Sequence, residues 1–299
     1  MLNEKTIAFI GSGAMGEAMI KGLLRQGLVE PTQIVASGPR AERGQELFER
    51  YGVPTTTDNV EAATGADVVV LSIKPQVLCT VLEEIAGSVS PHALVLSIVA
   101  GAKMGTIQRM LEVPAVVRVM PNTPAQIGMG ISVWTATAAT TEQQRGQALA
   151  ILQALGEEVF VGDEGYLDMA TAVSGTGPAY AFLLMEAMVD AGVHLGFSRH
   201  VAERLVIETL RGSVEYARQS KRHLATLRNQ VTSPGGTSAE ALYHLEKGGL
   251  RTVLSRAIWA AYQRSQSLGG QAQEGGKDAQ GPCGESVRDN ASGPASGSM

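Results

Sequence analysis

KTIAFIGSGAMGEAMIKGLL, residues 5 to 24, decides the fold of this chain. A β-branched run, TIAFI, leads directly into Gly11, Ser12, Gly13, Ala14, Met15 and Gly16, and a helical pattern follows without a break. A GxGxxG loop between a strand and a helix reads as a dinucleotide site. Its first glycine permits the tight turn, its second lets backbone approach a pyrophosphate, and the helix amino end supplies unpaired N–H groups and a positive dipole. A glycine-rich loop without a ligand is the competing reading.

The next strand, QIVAS, refines the ligand. NAD-specific sites place a carboxylate at the end of this strand to bond the ribose 2′-hydroxyl. Here Ser37 holds that place, no acid occurs from Ile34 to Ala41, and Arg40 and Arg43 follow. Charge-assisted hydrogen bonds from arginine suit a 2′-phosphate, so the expected cofactor is NADPH, with NADH possible but weaker. The alternative for Arg40 and Arg43 is a solvated first helical turn.

Outward from this loop, short β runs alternate with helical patterns as far as about Asp163: ADVVVLSI, ALVLSIVAG, AVVRVM, GISVWT and EEVFVG complete the set. Such alternation predicts a mostly parallel sheet wrapped by helices. ADVVVLSI and ALVLSIVAG are apolar almost throughout, as strands covered on both faces are, and belong at the sheet's centre. Ligands of open α/β sheets lie at the carboxyl ends of strands. That rule adds Ile73, Lys74 and Pro75, then Ala100 and Gly101, then Pro121, Asn122 and Thr123 to the crevice. Lys74 has a second reading as a solvated residue before a helix. Thr140 with Gln143 reads as a capping box, opening a helix that runs to Gly156.

After about Glu164 the β signal fades. AYAFLLMEAMVDAG, SRHVAERLVIETLRGSVEYARQ with Ser198 as its cap, AEALYHLE and LRTVLSRAIWAAYQRSQ read as helices. The first is apolar nearly all round, and a helix with no polar face needs burial on every side. About 100 residues can seldom provide it alone, so a homodimer of intertwined helices is expected. The fold class is therefore α/β: an N-terminal Rossmann-type doubly wound sheet over residues 1–164, then an all-α dimerisation and substrate domain over 165–268. Residues 269–299, rich in Gly, Ser, Ala and Gln, read as a disordered tail.

Composition sets outer bounds. The 299 residues carry a net charge of −5, 44% hydrophobic and 18% charged residues, which fits a two-domain globular chain and argues against a nucleic-acid partner. No run approaches the roughly 18 apolar residues of a membrane-spanning helix. No targeting peptide is read at the amino end, so the expected location is cytoplasmic.

A second motif lies in the helical part. VTSPGGTSAEALYHLE sets Thr232, Ser233, Thr237 and Ser238 around Pro234, Gly235 and Gly236, immediately before a helix. Freed backbone N–H groups, hydroxyls and a helix amino terminus suit one small carboxylate; an ordinary capped loop is the alternative. Ser174, Thr176 and Tyr180 in SGTGPAY have no neighbouring His to activate them, so they are assigned to helix entry, with Thr176 near the substrate. His92, His194, His200, His223 and His244 show no metal-ligand spacing, and no metal is expected.

GSGAMG, SIKP, RVMPNTP, SGTGPAY and VTSPGGTSAEALYHLEKGG, in this order over residues 5 to about 268, resemble pyrroline-5-carboxylate reductase. The resemblance implies NADPH-dependent reduction of pyrroline-5-carboxylate to proline, with an active site at the interface of interlocked subunits and, in some relatives, five dimers in a ring. It implies that Asn59 contacts the adenosine side of the cofactor. It implies that the loop holds the substrate carboxylate through Val231, Ser233, Gly235, Gly236 and Thr237. It implies that the hydroxyl of Ser238 faces the imine nitrogen. Family members commonly carry Thr at that position, and Ser lacks the methyl that restricts the rotamer. The tail after Leu268 is unlike the family.

A protonated C=N is already a strong electrophile, so positioning is the main task. Hydroxyacid dehydrogenases of similar layout carry a lysine four residues after the last glycine of GxGxxxK. Here Ala181 stands there, and no lysine occurs between Lys103 and Lys221. An imine substrate fits that absence. The rivals are a reductase of another cyclic imine or of a keto acid, and an inactive NADPH-binding sensor.

Overall fold

The computed structural model describes residues 2–270. The first half alternates strand and helix: β1 (Ile7–Ile10), α1 (Ala14–Arg25), β2 (Ile34–Ser37), α2 (Ala41–Tyr51), β3 (Thr55–Thr56), α3 (Asn59–Ala63), β4 (Val68–Leu71), α4 (Leu78–Ile85), β5 (Leu94–Ser97), α5 (Met104–Leu111), β6 (Val116–Met120), β7 (Gly130–Ala136), α6 (Glu142–Gln153) and β8 (Gly156–Phe160). The strands form one sheet in the order β3-β2-β1-β4-β5-β6-β7-β8. Every pairing is parallel except β6 with β7. The order turns back at β1 and β4, which opens a crevice at their carboxyl ends.

Side-chain alternation along β1 feeds two cores. Ile7 and Phe9 pack with Met19 and Leu23 of α1 and with Ile151 and Leu152 of α6. Ala8 and Ile10 point the other way, toward Ala62, Leu82, Ile85 and Ile107 of α3, α4 and α5. Strands β4 and β5 are buried at every position and stand centrally, as their unbroken apolar runs predict.

Three local readings are corrected. The capping box is Thr141 with Gln144, one residue later than expected, and α6 ends at Gln153 so that Gly156 opens β8. Both neighbouring threonines offer a hydroxyl, and the choice falls to Thr141 because Thr140 Oγ1 is taken by Thr137 at 3.0 Å. The two-residue β3 was not expected, being too short to carry any periodicity. Ser198 does precede the long helix of the second half, but its side chain makes no capping hydrogen bond.

The second half is helical: α7 (Tyr166–Ala170), a π-helical turn (Thr171–Gly175), α8 (Gly177–His194), α9 (Arg199–Ser220), α10 (Leu224–Gln230), α11 (Thr237–Lys247) and α12 (Leu250–Gly270). Its own core is small, built around Val189, Ala202 and Val206 where α8 meets α9. Phe182, Leu183 and Leu184 of α8 are 63%, 66% and 47% exposed. An apolar helix so poorly covered by its own chain is half of an interface. The tail expected as disordered lies, beyond Gly270, outside the described residues. Among the described residues no helix is long and apolar enough to cross a membrane, and no group of three or more His, Cys, Asp or Glu is placed to hold a metal.

Candidate active site

The three glycines of the loop after β1 differ in what surrounds them. Gly11 has φ +107°, and a Cβ there would stand 2.6 Å from the Ser72 carbonyl oxygen. A Cβ at Gly16 would stand 2.7 Å from the Gly11 oxygen and 3.0 Å from Ser72 Oγ. Both are glycine because α1 and the end of β4 press together. Around Gly13 nothing lies within 4 Å of an added Cβ. Gly13 is also the residue preceding α1, and no side chain caps that helix. The first amides of α1 are thus left without a side-chain cap, beside open space at Gly13. Packing explains two glycines, and a pyrophosphate at the helix amino end fits the third. Ser72, which sequence reading missed, donates to the Gly11 carbonyl at 2.7 Å. Ser12, only 9% exposed, completes the loop.

Ser37 is fully buried. Its hydroxyl lies 2.7 Å from Asn59 Oδ1, while Asn59 Nδ2 donates to Glu84 at 2.8 Å. The two partners hold the Asn59 amide in one orientation. A cavity of about 420 Å³ adjoins this edge, lined by Gly13, Ala14, Arg40, Glu42, Arg43 and Glu46. The two arginines there are not equivalent. Arg40 is exposed and, among the described residues, makes no side-chain hydrogen bond or ion pair. Arg43 is held by three partners: Nε donates to the Ser12 carbonyl at 3.2 Å, Nη1 to Glu46 at 2.7 Å, and Nη2 to Glu17. Glu17 also accepts from Arg50 and from Tyr51. Burial pushes the Glu17 carboxyl up, but hydrogen bonds from Arg43 and Tyr51 and the Arg43 charge outweigh it and hold the carboxyl below its ordinary range.

The other expected crevice residues sit at strand ends as predicted. Ile73 and Pro75 are half-buried, and Lys74 is exposed just before a 3₁₀ turn. Ala100 and Gly101 follow β5, with Gly101 at φ +75°. Asn122 is more informative. Its Oδ1 accepts from the Ile131 amide at 2.9 Å and its Nδ2 donates to the Ser174 carbonyl at 3.3 Å, tying the end of β6 to the helical half.

A second tie between the halves runs through Arg118. This β6 residue is 5% exposed, bonds Glu164 at 2.9 Å and faces Asp168 at 3.7 Å. Glu164 also accepts from the Met104 amide, and Asp168 accepts from Ser265 Oγ of α12 at 2.8 Å. Sequence reading passed over Arg118, although a lone arginine inside the apolar run AVVRVM was the available signal. Ser174, Thr176 and Tyr180 all return hydrogen bonds to the turn before α8, from Ser174 to Ala170, Thr176 to Thr171 and Tyr180 to Ala172. Their helix-entry role is thereby visible.

The loop over residues 231–238 is an open turn. Thr232 Oγ1 donates back to the Arg228 carbonyl at 2.7 Å, Gly235 has φ +70°, and the Gly236 amide donates to the Ser233 carbonyl at 3.1 Å. A Cβ at Gly236 would meet Ser233 Oγ at 2.5 Å. No side chain caps α11. Val231, Ser233 and Thr237 are exposed and Ser238 is half-buried. Among the described residues, the hydroxyls of Ser233 and Ser238 have no hydrogen-bond partner, and the loop's own hydrogen bonds stay within residues 228–240.

A Rossmann-type sheet with an open glycine loop, joined to a helical half with an exposed apolar face and an amide-lined turn, defines a two-domain dinucleotide-binding protein. The family described as pyrroline-5-carboxylate reductase dimerisation matches residues 164–268, and the one described as NADP oxidoreductase coenzyme F420-dependent matches residues 6–101. Pyrroline-5-carboxylate reductase of Pseudomonas aeruginosa is 42% identical over 268 residues, covering 89% of this chain and 98% of the relative. The soybean (Glycine max) enzyme of the same name is 36% identical, covering 88% and 96%. Among solved structures, the Coxiella burnetii pyrroline-5-carboxylate reductase has a TM-score of 0.80 at 35% identity, covering 88% of this chain and 98% of its own. The Plasmodium falciparum pyrroline carboxylate reductase, solved with NADP bound, has a TM-score of 0.81 at 30% identity, covering 89% and 98%. The chain belongs to the pyrroline-5-carboxylate reductase family.

Proposed function

We propose that this chain reduces L-1-pyrroline-5-carboxylate to L-proline, the last step of proline biosynthesis, with NADPH preferred over NADH. One observation carries the site assignment: the turn over residues 231–238 presents uncapped helix amides and, among the described residues, the unpartnered hydroxyls of Ser233, Thr237 and Ser238 to its surroundings. Amides of this turn and Ser233 bind the substrate carboxylate, where the α11 dipole favours negative charge. Thr237, Gly235, Gly236 and Val231 shape that cradle, and Thr176 borders it. Ser238 hydrogen-bonds the ring nitrogen and so fixes which carbon faces the nicotinamide. Bound NADPH supplies the hydride that C5 accepts. Gly11 to Gly16, Arg40, Asn59, residues 73–75, Ala100, Gly101 and Asn122 line the dinucleotide crevice, with Ser37 acting through Asn59. The exposed apolar face of α8 supports an interlocked homodimer in which one subunit's cradle serves a crevice at the interface.

Initial rates of NADPH oxidation with pyrroline-5-carboxylate, a piperideine carboxylate and 2-keto acids test the substrate. The five-membered imine is expected to be fastest; a faster keto acid overturns the assignment. Ser238→Ala is expected to lower turnover with NADPH affinity intact, and unchanged turnover removes Ser238 from the mechanism.

A further inference from the structure

The cavity beside Gly13 holds two cations and two carboxylates, Arg40 and Arg43 against Glu42 and Glu46. A site built solely to attract a phosphate dianion would leave its cations free. Here Arg43 donates from all three of its nitrogens, to Ser12, Glu46 and Glu17, and its side chain is only 16% exposed. Two carboxylates therefore neutralise one guanidinium. They differ in standing. Glu17 is 17% exposed and is gripped by Arg43, Arg50 and Tyr51, which makes it part of the scaffold between α1 and α2. Glu46 is 56% exposed, lines the cavity itself, and has Arg43 as its one ion-pair partner among the described residues.

We propose that Glu46 is a specificity-determining residue: it lines the cavity beside Arg43, pairs with Arg43 Nη1 and repels the 2′-phosphate, so that Arg40 is the less encumbered cation to meet that phosphate and the preference for NADPH over NADH is held down. The proposal rests on the reading that this cavity takes the adenosine 2′-phosphate. It separates three roles that the sequence left together. Arg40 is the phosphate ligand, Arg43 fastens the glycine loop to α2 through the Ser12 carbonyl, and Glu46 tunes the discrimination between the two cofactors.

Glu46→Gln keeps the side chain's size and its hydrogen bond to Arg43 while removing the charge. Exchanging one solvent-facing carboxylate for an amide near a phosphate changes affinity by about two- to fivefold. Dissociation constants of the full-chain enzyme for NADPH and NADH, read by nucleotide fluorescence at low and high salt, give the test. The expected result is tighter NADPH by that factor, unchanged NADH, and a gain that shrinks as salt rises. Unchanged NADPH, or equal shifts for both nucleotides, overturns the proposal. Arg40→Ala measured alongside locates the failure. If it weakens NADPH selectively while Glu46→Gln does nothing, only the role of Glu46 falls; if it weakens both nucleotides equally, the phosphate lies elsewhere and the underlying reading falls with it.

Discussion

Alanine at Gly13 and alanine at Gly16 each add one methyl group, three residues apart, and opposite outcomes are expected. At Gly16 the new carbon would stand 2.7 Å from a backbone oxygen and 3.0 Å from Ser72 Oγ. Helix propensity favours Ala over Gly by about 1 kcal/mol, but overpacking one backbone against another costs about 1–3 kcal/mol, a net loss of up to about 2 kcal/mol. At Gly13, φ is −75°, which alanine adopts freely, and the added carbon touches nothing. A stiffer unfolded chain gains about 0.4–1 kcal/mol, and a poorer helix cap loses a similar amount, so stability stays level. The methyl instead fills the space where the pyrophosphate would meet the loop. Losing even one hydrogen bond to a charged group, about 1.5–3 kcal/mol, weakens NADPH at least about tenfold. Thermal melting at fixed protein concentration, because an oligomer's midpoint depends on it, and NADPH titration read the two effects separately. Wild-type NADPH affinity in Gly13→Ala, or a Gly13→Ala variant that melts below Gly16→Ala, refutes the division of labour among the glycines.

Three further outcomes are expected. Arg118→Met leaves Glu164 and Asp168 without their cation, and breaking a buried pair from one side costs about 3 kcal/mol, at the low end because both acids keep some water; chemical denaturation checks it. Glu17 has a folded-state pKa below its ordinary value, so its contribution is present at neutral pH and is lost as pH falls below the ordinary carboxylate range, where the unfolded chain takes up the proton first. Denaturation at a series of pH values shows this as a downward slope toward acid, and Glu17→Gln flattens it. Leu183→Arg, on the exposed apolar face of α8, is expected to give a monomer by light scattering with turnover lost and NADPH still bound; a fully active monomer contradicts an active site shared between subunits.

Local signals carried far in this chain. The glycine loop was legible because strand, turn and helix follow each other within about twenty residues. The central strands were legible because burial on both faces leaves an unbroken apolar run. The uncapped turn before α11 was legible because glycines, hydroxyls and a helix start are neighbours in sequence. Sequence alone therefore determined the α/β class, the glycine loop between β1 and α1 and the glycine- and hydroxyl-rich turn before α11.

What only the tertiary structure decided depends on groups distant in the chain. Ser72 lies 61 residues beyond Gly11, yet its backbone explains why that position admits no side chain while Gly13 does. Arg40 and Arg43 look alike in sequence and separate only when α1 brings Glu17 against α2. Arg118 gains its meaning from Glu164 and Asp168, which arrive from the start of the helical half. Each is a pairing of charge or a steric limit, set by distance in space, and a pattern along the chain does not encode that distance.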